Sequence, residues 1–404
     1  MWVIPLTPVE KTMPESSKQD LADRISSFIR PAFRLTGDGC FLSWQQREAV
    51  QGCMIFIVII AHAYQIMRMP VLEPWFRFSY ETPLMLTFLC LPLLTIVKPA
   101  TGARLRDLFI RYFVPYAVFL TVLSLLNWFS GGADRSWSEQ FLLWATAMLM
   151  GNIDSAIDAA SSGYLWFMPA FLLFQFTLGL YYAMRSRMAI FAFLAMLVGL
   201  AFIGQGRDSW AADLPFNIAI VVYTLPLSVV IAHMLNRLQH INHRYIAGLV
   251  FLALFLALTA LTISWDSLYR VYLANFYTVL QFDEFATHIV RAVFGTVGIL
   301  MFAPLLEKVF VFRWVGQNVL IMYLAHWPIM HFVSKVANKV FGLNPSENLP
   351  GILMIIISFF LTAALARVIA GSSWLNAFVT PRNFTNYKEA FGIRPMLATA
   401  KRSE

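Results

Sequence analysis

The chain is poor in charged residues. Of its 404 residues, 13% are charged and 59% are hydrophobic, and the mean hydropathy is +0.66. A soluble domain is about a quarter charged and about half apolar. The shortage of charge therefore excludes an ordinary soluble domain, and it predicts a polytopic membrane protein that consists almost entirely of one membrane domain.

Cysteine is also scarce. The three cysteines, Cys40, Cys53 and Cys90, are scattered and form no CxxC pair. This spacing is not that of a disulfide framework or of a cysteine metal site. We expect no bound metal. The net charge of +8 does not indicate nucleic acid, because the basic residues sort by predicted membrane side.

Long apolar runs fill most of the sequence. A membrane-spanning helix needs roughly 17–25 residues, and ten segments of about that length occur. They are residues 50–67, 80–97, 110–130, 163–183, 188–205, 214–235, 246–264, 286–306, 317–335 and 350–370. We therefore predict an all-α bundle of about ten transmembrane helices. A weaker stretch, 140–150, is too short to span and is expected to be re-entrant or interfacial.

The lysines and arginines predict the orientation of the bundle. With a cytoplasmic N-terminus, 21 of the 30 basic residues fall on the inner side and seven in outer loops, as the positive-inside rule requires. Both termini are then cytoplasmic. The predicted domains are an N-terminal segment (1–45), a ten-span membrane domain (46–371) and a cytoplasmic tail (372–404). The N-terminal segment includes a short amphipathic helix before Pro31, lying either on the membrane or on the cytoplasmic loops.

Two histidines lie in the middle of apolar runs. His62 is near the centre of the first predicted span, and His326 lies at a similar depth in the ninth. A histidine at bilayer depth is costly and faces a partner, a cavity or a substrate. A neutral imidazole could act as a general base or as an acyl-accepting nucleophile. The alternative is a hydrogen bond between two helices without a chemical role.

A basic loop follows the second apolar run. It carries Lys98, Arg104, Arg106 and Arg111, with Asp107 as its only acid. Positive-inside bias accounts for some of these residues. Arg111 opens the third span, where a guanidinium could bind a phosphate-bearing donor from the cytoplasm.

The predicted outer side carries a second set of candidates. His288 and Arg291 are three residues apart and share a helix face. Arg291 either extends to the outer surface or points into a cavity. Loops 131–162 and 265–285 hold carboxylates, and the second also holds several aromatic residues. These suit a glycan, whereas the alternative is an interfacial aromatic belt.

In four places the sequence is similar to acyltransferase family 3, the bacterial membrane O-acyltransferases that modify surface glycans. The segments are Glu48-Ala-Val-Gln51-Gly52 with His62 ten residues later, Arg111-Tyr-Phe-Val-Pro115-Tyr116, Leu165-Trp166-Phe167-Met168-Pro169-Ala170, and Gly316-Gln-Asn-Val-Leu-Ile-Met-Tyr323-Leu-Ala-His326. The ordered set covers about residues 45–370. The resemblance implies a ten-helix bundle in the bacterial inner membrane and an acyl-CoA donor, acetyl-CoA first, on the cytoplasmic side.

The resemblance also implies a catalytic role for His62 and donor binding by Arg111. The predicted acceptor is a hydroxyl of a glycan or lipid-linked sugar. The chain could also form a homo-oligomer. The expected catalytic residues are His62 and His326. The donor-binding candidates are Arg111, Arg106, Arg104, Lys98 and Gln51, and the substrate-cavity candidates are Trp166, Tyr323, Arg291, His288 and Glu48.

Two departures from the family pattern keep other classes open. Gln51 stands where the family has a lysine or arginine, and Leu108 stands where it often has a second arginine. A non-catalytic scaffold derived from the enzyme is one alternative. A transporter or flippase is another, although the chain shows no repeated half and few carboxylates in its spans.

Overall fold

The computed structural model describes residues 41–67, 86–95, 102–129, 136–184, 187–205, 215–238, 243–263 and 282–381. In these ranges every regular element is a helix. The α-helices are α1 (Trp44–Met67), α2 (residues 86–94), α3 (Gly102–Phe129), α4 (Trp137–Met150), α5 (Ile153–Ala160), α6 (Phe167–Ala183), α7 (Arg187–Gln205), α8 (Ile218–Leu238), α9 (Arg244–Ile263), α10 (Phe282–Met301), α11 (Ala303–Leu306), α12 (Phe310–Gln317), α13 (Val319–Phe341), α14 (Asn348–Gly371) and α15 (Ser373–Val379). Short 3₁₀ turns, Gly163–Trp166 and Pro215–Asn217, precede α6 and α8.

Five helical segments within these ranges have the length and hydropathy of a membrane span. They are Gly102–Phe129, Gly163–Ala183, Arg244–Leu261, Val319–Phe341 and Asn348–Gly371. The chain is therefore an all-α, multi-pass membrane protein, and the predicted fold class is confirmed to that extent. The predicted N-terminal amphipathic helix, Lys98 and nearly all of loop 265–285 lie outside the described residues.

Helix α1 begins earlier than its apolar run. The backbone N–H of Gln46 donates to Ser43 Oγ (3.1 Å), and the Gln46 side chain accepts from the N–H of Ser43 (3.2 Å). This reciprocal pair is a capping box, which satisfies two N–H groups at the helix start. It extends α1 beyond the predicted span and carries Arg47 and Glu48 on the same rigid helix as His62.

Helices α1 and α12 cross at two glycines. A Cβ atom built on Gly52 would lie 1.8 Å from the carbonyl oxygen of Phe312, and one on Gly316 would lie 1.8 Å from that of Glu48. No side chain fits at either position, because the obstacle is backbone on the other helix. The two glycines thus hold α12, and α13 directly after it, against the first helix.

The junction between α12 and α13 lies at Asn318. Asn318 holds the N-cap position of α13 but makes no side-chain capping bond there, and its Nδ2 donates back to the carbonyl of Trp314 in α12 (2.9 Å). The neighbouring Gln317 donates to Glu48 Oε2 (3.1 Å). The junction is consequently tied to α1 at the end opposite the histidines.

The stretch 140–150 lies within α4, which is 14 residues long. Ser136 and Glu139 form a capping box at its start. Gln140 then donates through Nε2 to Ser124 Oγ and to the carbonyl of Ala159, both at 2.8 Å. These bonds join α3, α4 and α5, so the segment is a well-anchored helix of less than spanning length.

Helix α15 lies within the segment that the sequence assigned to the cytoplasmic tail. Its N-cap, Ser372, accepts a hydrogen bond from the N–H of Leu375 (3.3 Å). The helix packs against α14 and α3, and Ala377 and Val379 are buried. This part of the tail is therefore attached to the bundle.

Candidate active site

The two histidines singled out in the sequence meet inside the bundle. His62 Nδ1 lies 2.7 Å from His326 Nε2, and the two rings are nearly parallel, with 5.0 Å between centroids. His62 comes from α1 and His326 from α13, 264 residues later. His326 is fully buried, whereas His62 is half-buried. The pair thus has an inner member and a member nearer to accessible space.

The backbone around His326 determines which ring nitrogens of the pair donate and which accept. His326 Nδ1 lies 2.5 Å from the carbonyl oxygen of Tyr323 and 3.2 Å from that of Met322. Carbonyl oxygens only accept, so Nδ1 of His326 carries the proton. In the neutral pair, His326 Nε2 is then an acceptor and His62 Nδ1 donates to it. This arrangement puts the lone pair of His62 on Nε2.

Tyr164 joins the turn before α6 to α13, which carries His326 and is called the histidine helix below. Pro328 in α13 has no N–H, so the carbonyl of Leu324, four residues earlier, loses its helical donor. The hydroxyl of Tyr164 donates to that carbonyl (2.7 Å). The hydroxyl of Tyr323 in turn donates to the carbonyl of Tyr164. Each side therefore donates one bond to the other, directly beside the histidine pair.

Aromatic rings surround the pair. Trp327 lies edge-to-face with His62 at 5.1 Å between centroids, and Tyr164 lies 5.5 Å from His326 and 6.5 Å from His62. Tyr164 and Trp327 also stack on each other at 5.6 Å. Tyr323, a predicted cavity residue, is 5.9 Å from His326. These rings hold the imidazoles in a largely apolar enclosure.

Sequence reasoning missed two members of this enclosure. Tyr164 lies in the segment that opens the fourth span, and Trp327 directly follows His326. In the segment that opens the fourth span, the sequence predicted Trp166 as a cavity residue. Trp166 packs on Phe167 (5.8 Å between ring centroids), whereas Tyr164 lies beside both histidines. Pro328 was the available signal, because a proline within a span indicates a carbonyl that needs another donor.

Arginines gather at the other end of α1. Arg47 interacts electrostatically with Arg104 and Arg111 of α3, and with Tyr112 and Glu48. Its Nη1 donates to Thr95 Oγ1 (3.4 Å), and its Nε, buried, has no hydrogen-bond partner among the described residues. No carboxylate of the described chain lies within salt-bridge distance of Arg47 or Arg111. Like charges held together in this way favour an anionic ligand.

Arg47 was not predicted as a site residue. It precedes Gln51 by four residues, which places the two on one face of α1. A guanidinium therefore lies one turn from the position where Gln51 replaces the expected cation. The signal was present in the sequence, because a basic residue at i−4 is equivalent in helical terms.

A cleft lies between α3, the α12–α13 junction, α14 and α15. Its polar lining is Arg111, Gln317, Asn318, Asn376 and Thr380, and apolar residues of α13 and α14 form the rest together with Pro381. The cleft opens to solvent, and its interior has room of about 100 Å³ for a water-sized sphere. The described lining includes no carboxylate, so Arg111 gives the cleft a positive character.

The remaining predicted residues lie on α1, α3 and α10. Arg106 is exposed and Gln51 half-buried at the arginine end of the bundle. Glu48 accepts hydrogen bonds from Trp44 Nε1 (2.9 Å) and Gln317. Arg291 on α10 is only 4% exposed, so it lies inside the protein and does not extend to the surface. His288 is on the same helix, and its side chain is outside the described set.

Comparison of the chain with family models, with curated proteins and with solved structures finds no match. Within the described ranges, no three His, Cys, Asp or Glu side chains come together as a metal site. A function is consequently inferred from the geometry of the histidine pair, the arginines and the cleft.

Proposed function

We propose that this chain is a membrane O-acyltransferase that moves an acyl group, acetyl first, from cytoplasmic acyl-CoA to a hydroxyl of a glycan or lipid-linked sugar. The directed hydrogen-bond chain from His62 to His326 to the Tyr323 carbonyl carries the proposal. A histidine oriented by a second acceptor through Nδ1, with its lone pair on Nε2, is what base or nucleophilic catalysis requires.

In the direct route, Nε2 of His62 takes the proton of the acceptor hydroxyl. The oxygen attacks the thioester carbonyl, a C–O bond forms and the C–S bond breaks. The CoA thiolate leaves and takes up the proton from His62. In the covalent route, Nε2 attacks the thioester first, an N–C bond forms, the C–S bond breaks and the CoA thiolate leaves. The acceptor hydroxyl then attacks the acyl-histidine, a C–O bond forms as the N–C bond breaks, and the hydroxyl proton passes to the thiolate. His326 holds the tautomer in both routes.

The donor approaches from the arginine end of the bundle. Arg111, Arg104 and Arg47 bind its phosphates by charge-assisted hydrogen bonds, and Arg106 and Gln51 lie at the same end of the bundle. Lys98 stays a predicted donor-binding residue from its place in the sequence. Along α13, His326 is eight residues from Asn318, or about 12 Å. The flexible pantetheine arm of CoA can bridge that separation, so the thioester reaches the histidines while the phosphates stay with the arginines.

The topology that goes with this function has ten spans and both termini in the cytoplasm of a bacterial cell, with the protein in the inner membrane. The acceptor then approaches from the outer side. Tyr164, Tyr323 and Trp327 enclose the histidines, and Arg291 and His288 lie on the helix that enters from that side.

The test is CoA release from acetyl-CoA by the purified protein in detergent. Wild type is compared with His62→Ala and with His243→Ala, a matched variant at an exposed histidine. We expect release by wild type and His243→Ala, and loss by about 100-fold or more in His62→Ala. An acyl adduct on His62 after rapid quenching identifies the covalent route. No release from folded wild type, with succinyl-CoA also tried, supports the transporter or scaffold instead.

A further inference from the structure

The cleft beside Arg111 is built from parts of the chain that are far apart in sequence. Arg111 comes from α3, Gln317 and Asn318 from the junction before the histidine helix, and Asn376 and Thr380 from α15 and its C-cap. A cleft with one cation, several amides and a hydroxyl, and no carboxylate in its described lining, suits a phosphorylated polar ligand.

Two groups from the tail segment are suited to bind such a ligand. The hydroxyl of Thr380 donates to Oδ1 of Asn376. This bond orients the amide, and its Nδ2 has no partner among the described residues. Two lone pairs of the Thr380 oxygen are acceptors. The tail helix thus offers donors and acceptors in the cleft that Arg111 also lines.

We propose that this cleft binds the nucleotide end of CoA, with Arg111 on a phosphate and Asn376 and Thr380 on the ribose or base. The inference depends on the proposed function, because it assigns a place to that function's donor. It gives the first helix of the tail a role in donor recognition, which the division of the chain at residue 371 did not predict.

The same phosphate chemistry could come from an anionic lipid headgroup at this membrane face. The apolar half of the cleft, from α13 and α14, would also suit the upper part of an acyl chain. Nucleotide binding is favoured because the cleft lies beside the junction that leads to His326, and because amides and a hydroxyl line it together with Arg111.

The experiment measures binding by calorimetry in nanodiscs of phosphatidylcholine. The probes are CoA and its adenosine bisphosphate fragment, which lacks the pantetheine arm. The variants are Thr380→Val and Asn376→Leu, which keep shape but remove polar groups, and Arg111→Gln. Ser373→Ala is the matched control, since it removes an exposed hydroxyl from the same helix. A repeat with phosphatidylglycerol tests the lipid.

We expect both probes to bind wild type and Ser373→Ala alike. The Kd for both should rise about three- to tenfold in Thr380→Val and Asn376→Leu, and by about tenfold or more in Arg111→Gln. Unchanged Kd values in the tail variants, with CoA still bound, overturn the inference and leave the proposed function intact. Displacement of both probes by phosphatidylglycerol overturns it in favour of a headgroup. No CoA binding by wild type overturns both.

Discussion

The carbonyl oxygen of Tyr323 decides where the protons of the histidine pair lie. It holds the proton of His326 on Nδ1, and the acceptor so created holds the proton of His62 on its own Nδ1. Without His326, the His62 ring could carry its proton on either nitrogen. The wrong tautomer would present an N–H, not a lone pair, to the hydroxyl.

Substitutions of His326 therefore test whether this residue orients the His62 ring or only fills space beside it. In His326→Leu the acceptor that His326 Nε2 provides to His62 Nδ1 is lost, and we expect CoA release to fall by about 100-fold or more. In His326→Gln the amide oxygen can still accept from His62 Nδ1, and we expect a smaller loss. Both rates are measured on folded protein. Equal rates in the two variants would contradict an orienting role for His326.

Arg47 is expected to contribute to binding of the anionic donor. Its guanidinium is coupled electrostatically to Arg111 and Arg104, so its loss should weaken binding of an anionic donor. For Arg47→Gln we expect the Kd of CoA to rise about tenfold or more. Because position 51 lies one turn further along the same face, adding Gln51→Arg to that variant should restore much of the affinity.

Arg237 provides the control for Arg47. It is exposed near the end of α8, and Arg237→Gln removes the same charge from elsewhere. If Arg237→Gln weakens CoA binding as much as Arg47→Gln does, the effect belongs to net charge. A failure of Gln51→Arg to restore affinity would mean that Arg47 acts through Thr95 or Trp44 rather than on the ligand.

At this scale the sequence indicated which residues are unusual but not which of them meet. Burial cost alone singled out His62 and His326, and they are in contact. Contact between residues 264 positions apart depends on how α12 and α13 pack on α1, which no local pattern encodes. Tyr164 was missed because its importance comes from a carbonyl on another helix.

At the scale of elements, the histidine helix depends on a hydroxyl from outside it. Pro328 leaves the Leu324 carbonyl without its helical donor, and Tyr164 takes that place. For Tyr164→Phe we expect a loss of about 1–3 kcal/mol in the free energy of unfolding, because a buried carbonyl is left without a donor. Titration with a denaturing detergent measures it.

A double-mutant cycle with Pro328→Ala tests this explanation. Alanine restores an N–H at position 328, so the Leu324 carbonyl regains a helical donor. The cost of Tyr164→Phe should then be smaller in the Pro328→Ala background than in wild type. The same cost in both backgrounds would show that the tyrosine stabilises through its ring contacts with Trp327 and His326.

The close crossing of α1 and α12 depends on glycine at positions 52 and 316. An added Cβ at Gly52 or Gly316 would collide with backbone, so the helices must separate. We expect Gly52→Ala and Gly316→Ala each to destabilise by about 1–3 kcal/mol or more. Thermal unfolding in detergent is the measurement. Gly371→Ala is the control, since nothing lies within 4 Å of its Cβ. An equal effect at Gly371 would contradict the close crossing.

Hydropathy located the helices better than it located their ends. The third predicted span begins at residue 110, yet α3 begins at Gly102, because a helix continues past the membrane wherever its polar residues can stay in water. The short helices α12 and α15 were not predicted, since each is only seven or eight residues long. Both nevertheless position parts of the site.

For the whole molecule, the distribution of basic residues predicts that the histidines are reached from opposite sides by donor and acceptor. The arginines and the cleft lie at one end of α1 and α13, whereas α4 and α5 belong to a predicted outer loop. The predicted ten spans give both termini the same side. An odd number of spans between the basic loop (residues 98–111) and α15 would put the two on opposite sides of the membrane, and the cleft that Arg111 and Thr380 line together could not form.

Cysteine labelling in intact bacterial cells tests this topology. In a variant with Cys40, Cys53 and Cys90 replaced, single cysteines are placed at exposed positions: Ser138 in the predicted outer loop, and Ser373 and Arg106 on the predicted inner side. A membrane-impermeant maleimide should label Ser138→Cys in intact cells, and the other two only after lysis. Because the cleft requires Ser373 and Arg106 to share one side, labelling of just one of them in intact cells would contradict both the span count and the donor path.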